Sequence, residues 1–268
     1  MEHVGAAIGW GLVVGASLLL GALAAAALRL PERPAALLTA FGGGILLAAI
    51  ALELVPEADA EAGMGLTAAG LIAGTLVYVA ADAWLTRDHE MMMMRRSGHA
   101  AAAGRPMMME FGSPEAGQRE RAAPGSAEAA RGESIAAGLF VDGVPESLAL
   151  GLTIAEGEVG VPLLAGIVVG NFVEAYGAAQ PIIAGGRSKR FAVGLLGGIG
   201  LALALTVFLG GSVLAGVSPE IVGTAEAVAA GAVLAVVSIA IIPHAFQEVS
   251  RGVAIATALG FLAGYLLS

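Results

Sequence analysis

The chain contains no cysteine. That absence removes disulfides, thiolate metal sites and cysteine nucleophiles together. Charge is also scarce: Asp, Glu, Lys and Arg make up 13% of the 268 residues, about half of the roughly 25% usual in globular domains. The balance is acidic, a net charge of −9, so no basic face is left for nucleic acid. Lys and Arg are missing altogether from residues 1–28, 34–86, 132–186, 191–250 and 252–268. The opening Met1-Glu2-His3-Val4 lacks the cationic start of a cleavable signal, so the first apolar stretch is expected to be a retained span.

In place of charge there are 40 glycines, a hydrophobic share of 57% and a mean hydropathy of +0.85. Crossing the hydrocarbon takes about 20 mostly apolar residues, all with their backbone groups satisfied inside a helix. Eight stretches are candidates, the last of them short: 4–28, 34–55, 63–85, 134–155, 161–184, 191–217, 222–243 and 252–267. The expected fold class is an all-α polytopic membrane protein of eight transmembrane helices, one domain over residues 1–268.

All thirteen basic residues fall in alternate connections. Arg29 and Arg33 follow span one; Arg87, Arg95, Arg96, Arg105, Arg119, Arg121 and Arg131 follow span three. Arg187, Lys189 and Arg190 follow span five, and Arg251 follows span seven. The positive-inside bias makes these connections cytoplasmic and puts both termini outside, with the plasma (inner) membrane as the expected location. The opposite connections carry Glu57, Asp59, Glu61, Glu156, Glu158 and Glu220 and no cation. An acidic outer mouth raises the local concentration of cations.

Between spans three and four, residues 87–133 are rich in Ala, Gly, Pro, Arg and Glu and read as a flexible cytoplasmic loop. His89, Met91 to Met94, His99 and Met107 to Met109 lie within it. Thioether and imidazole suit soft or borderline metals, but a low-complexity tract at the membrane surface explains the same residues. Four glycine pairs, Gly5/Gly9, Gly11/Gly15, Gly166/Gly170 and Gly260/Gly264, have the spacing that lets helix backbones approach. With so many glycines, such pairs indicate a compact bundle and nothing more specific.

The chemistry lies with ionisable groups inside spans, each costing about 2.5–3.5 kcal/mol at the bilayer centre on insertion scales. Asp142 and Glu146 share a face of span four as i and i+4; Asn171 and Glu174 share a face of span five as i and i+3. A short connection makes these spans antiparallel neighbours, so the two polar faces can meet near the midplane. With every Lys and Arg in a cytoplasmic connection, the partner of three carboxylates there has to be a proton or a bound cation. Oxygen ligands match hard or borderline divalent ions. Pro145 removes a backbone donor and frees the Val141 carbonyl beside Asp142. Protonated carboxylates that merely pack the helices are the competing reading, and an expensive way to pack. Glu53, Asp82 and His244 lie near span ends and Glu226 about a turn inside span seven, where interfacial or structural roles suffice, although His244 after Pro243 is also a candidate exit-side ligand. Gln180 beside Pro181 is a candidate hydrogen-bond cap.

The run Asp142-Gly143-Val144-Pro145-Glu146-Ser147-Leu148-Ala149 resembles the fourth-helix signature of the ZIP (Zrt-, Irt-like) divalent metal transporters, His-Asn-x-Pro-Glu-Gly-Leu-Ala. Gly170-Asn171-Phe172-Val173-Glu174-Ala175 is similar to the fifth-helix signature, Gln-Asn-x-Pro-Glu-Gly. Eight spans, outside termini, a long cytoplasmic loop and the Ile-Ile-Pro ending at Pro243 are similar too. The resemblance implies a ZIP-like bundle with a midplane metal site. Several family positions differ: Asp142 stands for His, Gly143 for Asn, Gly170 for Gln and Val173 for Pro; the helix-six Glu-Pro is apolar near Leu201-Ala202; the helix-seven His-Glu reads Ile239-Ala240. One metal site in place of two is the expected consequence, with its all-oxygen side chains not specific for zinc.

The expected function is transport of a divalent metal cation (zinc, iron or manganese class). Asp142, Glu146 and Glu174 would be anionic ligands, Asn171 a neutral one, and alternating access would move one helix group around the site. The expected partners are divalent metal ions and the lipid bilayer, with a homodimer admissible. No covalent catalysis is implied. An intramembrane aspartyl protease would need facing aspartates, and Asp82 near a membrane edge does not match Asp142 near the centre. The alternative is a non-transporting ZIP-like metal sensor, chaperone or structural membrane protein.

Overall fold

In a computed structural model, residues 2–28, 32–85, 124–157, 159–213 and 217–268 are described. Among them there is no strand. The helices are α1 (Glu2–Ala27), α2 (Glu32–Ala49), α3 (Val55–Leu85), α4 (Pro124–Glu156), α5 (Val161–Ala184), α6 (Lys189–Val213), α7 (Pro219–Val236), α8 (Ile242–Val249) and α9 (Gly252–Leu267). Two wide π-helical turns, Ile50–Leu54 and Val237–Ile241, join α2 to α3 and α7 to α8 without a break. Prolines stand in the first turn of α4, α5, α7 and α8, where a missing N–H costs nothing and the fixed φ favours the helix.

Among the described residues, six helical segments are long and apolar enough to cross a membrane: His3–Ala27, Arg33–Trp84, Ile135–Glu156, Val161–Ala184, Lys189–Val213 and Pro219–Val249. Their outward faces carry large apolar side chains such as Leu20, Leu76, Val77, Leu201 and Leu205, all exposed, as expected where lipid replaces water. The protein is thus an all-helical, multi-pass membrane protein by length and composition.

The run Arg33–Trp84 has 52 residues, about 78 Å at 1.5 Å each, far more than a hydrocarbon core of about 30 Å. It is interrupted at Gly63, whose φ of 79° and ψ of 156° are not helical. Side-chain-bearing residues are essentially excluded from that region. The sequence puts the connection between spans two and three on the acidic residues 56–62. These residues stay helical, and the chain breaks at Gly63, which has no Cβ.

The expected loop is also shorter. Residues 124–133 belong to α4, and Glu133 pairs with Arg187 at 2.9 Å. Their low hydropathy resembles a loop, but nothing in their composition forbids a helix extended by packing. The Met- and His-bearing part of that loop lies outside the described residues.

Packing pairs α1 with α6 and α5, α2 with α9 and α5, α3 with α7, and α4 with α5, α6 and α7. Leu18, Leu150, Leu152, Leu163, Ile167, Leu196 and Leu203 are fully buried in one continuous core. Several helix pairs meet backbone to backbone. On α1 and α6, a Cβ added to Gly15 would lie 2.8 Å from the Gly200 carbonyl, and one on Gly200 would lie 2.6 Å from the Gly15 carbonyl. Gly74 and Gly231 face the carbonyls of Val228 and Leu71 across α3 and α7, and Gly44 and Gly260 face those of Thr257 and Phe41 across α2 and α9, closer still. Of the four sequence pairs, Gly11/Gly15 and Gly260/Gly264 meet neighbouring helices at both positions, Gly166/Gly170 at one, and Gly5/Gly9 at neither.

Candidate metal centre

Asp142 and Glu146 lie one turn apart on α4 and are buried, each 6% exposed. Glu146 lies within electrostatic range of both Glu174 on α5 and Asp142 on its own helix. Asn171, one turn before Glu174 on the same face, is buried, and its amide nitrogen has no hydrogen-bond partner. The helix passes through Pro145 unbroken. The missing N–H of Pro145 still leaves the Val141 carbonyl one donor short.

A residue the sequence did not single out completes this layer. Tyr78, buried on α3, donates its hydroxyl hydrogen bond to Oδ1 of Asp142. The signal available was a phenol in mid-span, which needs a partner in a region without water. Three helices therefore converge, with a hydroxyl, an amide and three carboxylates and no Lys or Arg on any of the spans involved. Replacing Tyr78 by Phe takes a donor from a buried carboxylate, expected to destabilise the metal-free protein by about 1–3 kcal/mol. A divalent ion supplies compensation from another direction, so the fall in melting temperature should shrink when metal is added. An equal fall with and without metal would count against an ion at Asp142.

Gly143 is closely packed: an added Cβ would meet Leu203 Cδ1 of α6 at 2.5 Å, while Leu201, one of the two helix-six positions noted in the sequence, is exposed. Gly170, in contrast, has nothing within 4 Å of an added Cβ.

Among the weaker sequence candidates, Gln180 caps a helix, but a neighbouring one. Its Nε2 donates to the carbonyls of Ala25 at 3.0 Å and Leu28 at 3.3 Å, with Tyr176 Oη also on Leu28 at 3.3 Å and Lys189 Nζ on Ala26. These are the carbonyls that the end of α1 leaves without intrahelical donors. His244 is partly buried on α8, Asp82 partly buried near the end of α3, and Glu53 lies in the first π turn with Oε2 3.1 Å from where a Cβ on Gly160 would sit. Glu226, about a turn inside span seven, with an interfacial or structural role expected, is completely buried and grouped with Glu57 and Glu156, their ligand atoms within 4.8 Å of one another.

No protein-family model matches this chain, and a search of curated proteins gives no match.

Proposed function

We propose that the protein is a membrane transporter of divalent metal cations, with eight crossings, both termini outside, and a single midplane ion site formed by Asp142, Glu146, Asn171 and Glu174. Division of the long α2–α3 run at Gly63 and the addition of the 16-residue apolar helix α9 bring six apolar segments to eight crossings. The observation that carries the reading is the meeting of Asp142 and Glu146, both buried, with the partly buried Glu174 on two neighbouring helices whose membrane spans contain no Lys or Arg. Such a group has to hold protons or a cation. A proton-holding layer that only packs helices would not call for an amide and a proline-freed carbonyl on the same faces. The motif resemblance to the ZIP transporters agrees with this reading.

The test is flux into proteoliposomes that enclose a metal-sensitive dye, with Mn2+ and Zn2+ outside, alongside calorimetry in buffers of different ionisation enthalpy. Metal has to displace the protons that neutralise the carboxylates, so binding should release protons and apparent affinity should fall as pH is lowered from neutral. Binding without flux would identify a sensor or chaperone. Zero released protons would show that the carboxylates are compensated without metal.

A further inference from the structure

A second group of carboxylates lies at the other end of α4. Glu156 follows Glu146 by ten residues, which places it about 15 Å further along the helix at 1.5 Å per residue. There it meets Glu57 from the first turn of α3 and Glu226 from the second turn of α7. One ligand oxygen from each lies within 4.8 Å of the others. Glu61 stands beside Glu156 as a fourth acidic neighbour. His3 reaches the same end of α4, its Nδ1 3.0 Å from the Ile154 carbonyl.

Acidic side chains often gather at a protein surface with no ion among them. Here the decisive feature is a completely buried member with no donor from outside the group. Glu226 is 0% exposed, and among the described residues the oxygens of Glu226 and of the partly buried Glu156 have no hydrogen-bond partner beyond the acidic side chains themselves, which meet one another. A buried carboxylate normally takes several donors, and one left without them carries its full desolvation penalty. Opposed to each other, two acceptors repel unless something positive sits between them. No Lys or Arg occurs anywhere in residues 34–86, 132–186 or 191–250, which include all three helices at this point.

We propose that Glu57, Glu156 and Glu226 form a second cation-binding site, for an oxygen-preferring divalent ion of the calcium or manganese class, separate from the midplane centre. All three ligands are carboxylates, which favours hard ions. Oxygens on opposite sides of a calcium ion are about 4.6–5.2 Å apart, so the observed spacing accommodates such an ion with little side-chain adjustment. The three ligands come from α3, α4 and α7, and a bound ion would fasten those helices to one another at that end. The site is independent of transport: it requires only that the three helices pack as they do.

The experiment is a count of Mn2+ bound per chain on the purified full-length protein, by equilibrium dialysis and elemental analysis, with Ca2+ as competitor. Three proteins are compared: the unaltered chain, Glu226→Gln, and the Glu146→Ala, Glu174→Ala double variant. Two ions are expected on the unaltered chain, and one on each variant. Glutamine keeps the shape of Glu226 and removes its charge, so the fold should survive; should Glu226→Gln not fold, Glu156→Gln takes its place. The loss at this site should be about 100-fold or more in affinity, since even partners outside a ligand shell are worth about 10–100-fold. An unchanged count in the folded outer variant overturns the proposal, as does a single ion lost only in the midplane double variant. A single ion lost only in the outer variant upholds this site and overturns the midplane one. No Mn2+ on any of the proteins overturns both.

Discussion

The Glu146→Ala, Glu174→Ala double variant should lose one bound divalent ion per chain and all metal flux while remaining folded. The two positions contribute two of the three midplane carboxylates, one from each helix, so the ion would lose ligands on both sides. Each lost ligand should weaken binding by about 100-fold or more, judged against the 10–100-fold that indirect partners contribute. Stability should move differently. Two groups that cost about 2.5–3.5 kcal/mol each at mid-bilayer disappear, and the cavities left by truncation act against that gain. The net change without metal should be small. If the carboxylates were protonated packing groups, the result would invert: metal content unchanged and the melting temperature clearly lower. Elemental analysis and thermal melts on the same preparation separate these outcomes.

Gly231→Leu should be the most damaging substitution outside the ion sites. Its added Cβ would run into the Leu71 carbonyl, and the reciprocal Gly74 faces the Val228 carbonyl. A side chain can rotate away; a backbone carbonyl held in a helix cannot. Lipid tails are as apolar as leucine, so the two helices gain nothing from burying the new side chain and lose the close packing that joins them. A loss of about 3 kcal/mol or more is expected, the upper end for overpacking. Gly5→Leu is the control, since nothing lies within 4 Å of a Cβ there, and it should stay within about 0.5 kcal/mol. Detergent melting curves that fall equally for both would remove the special role given to the α3–α7 contact.

Some of this was open to inspection in the sequence because lipid imposes simple rules. A helix must be about 20 apolar residues long, so long apolar runs mark themselves. A carboxylate inside such a run is conspicuous, and the spacing of Asp142 with Glu146 and of Asn171 with Glu174 needs only helical geometry. The remainder depends on contacts that no local pattern encodes. Tyr78 and Asp142 are 64 positions apart, and nothing in either stretch names the other. Glu226 by itself is one acid about a turn inside a span; it becomes a buried group only when α7 packs against α3 and α4. Residues 124–133 and the acidic stretch 56–62 have loop-like composition and are helical, because neighbouring helices extend them. Gly63 looked like one glycine among 40, and only its dihedral angles single it out.

The attachment at the end of α1 has a consequence for movement. Tyr176, Gln180 and Lys189 grip that end by main-chain oxygens of Ala25, Ala26 and Leu28, with no side chain of α1 taking part. Every residue of a helix terminus presents the same kind of acceptor, whatever its side chain. The grip therefore does not depend on which side chains stand at the end of α1. Sliding α1 along α5 would have to break it together with the contact at Gly21, where an added Cβ would run into the Phe172 carbonyl, so the two helices should move as one unit.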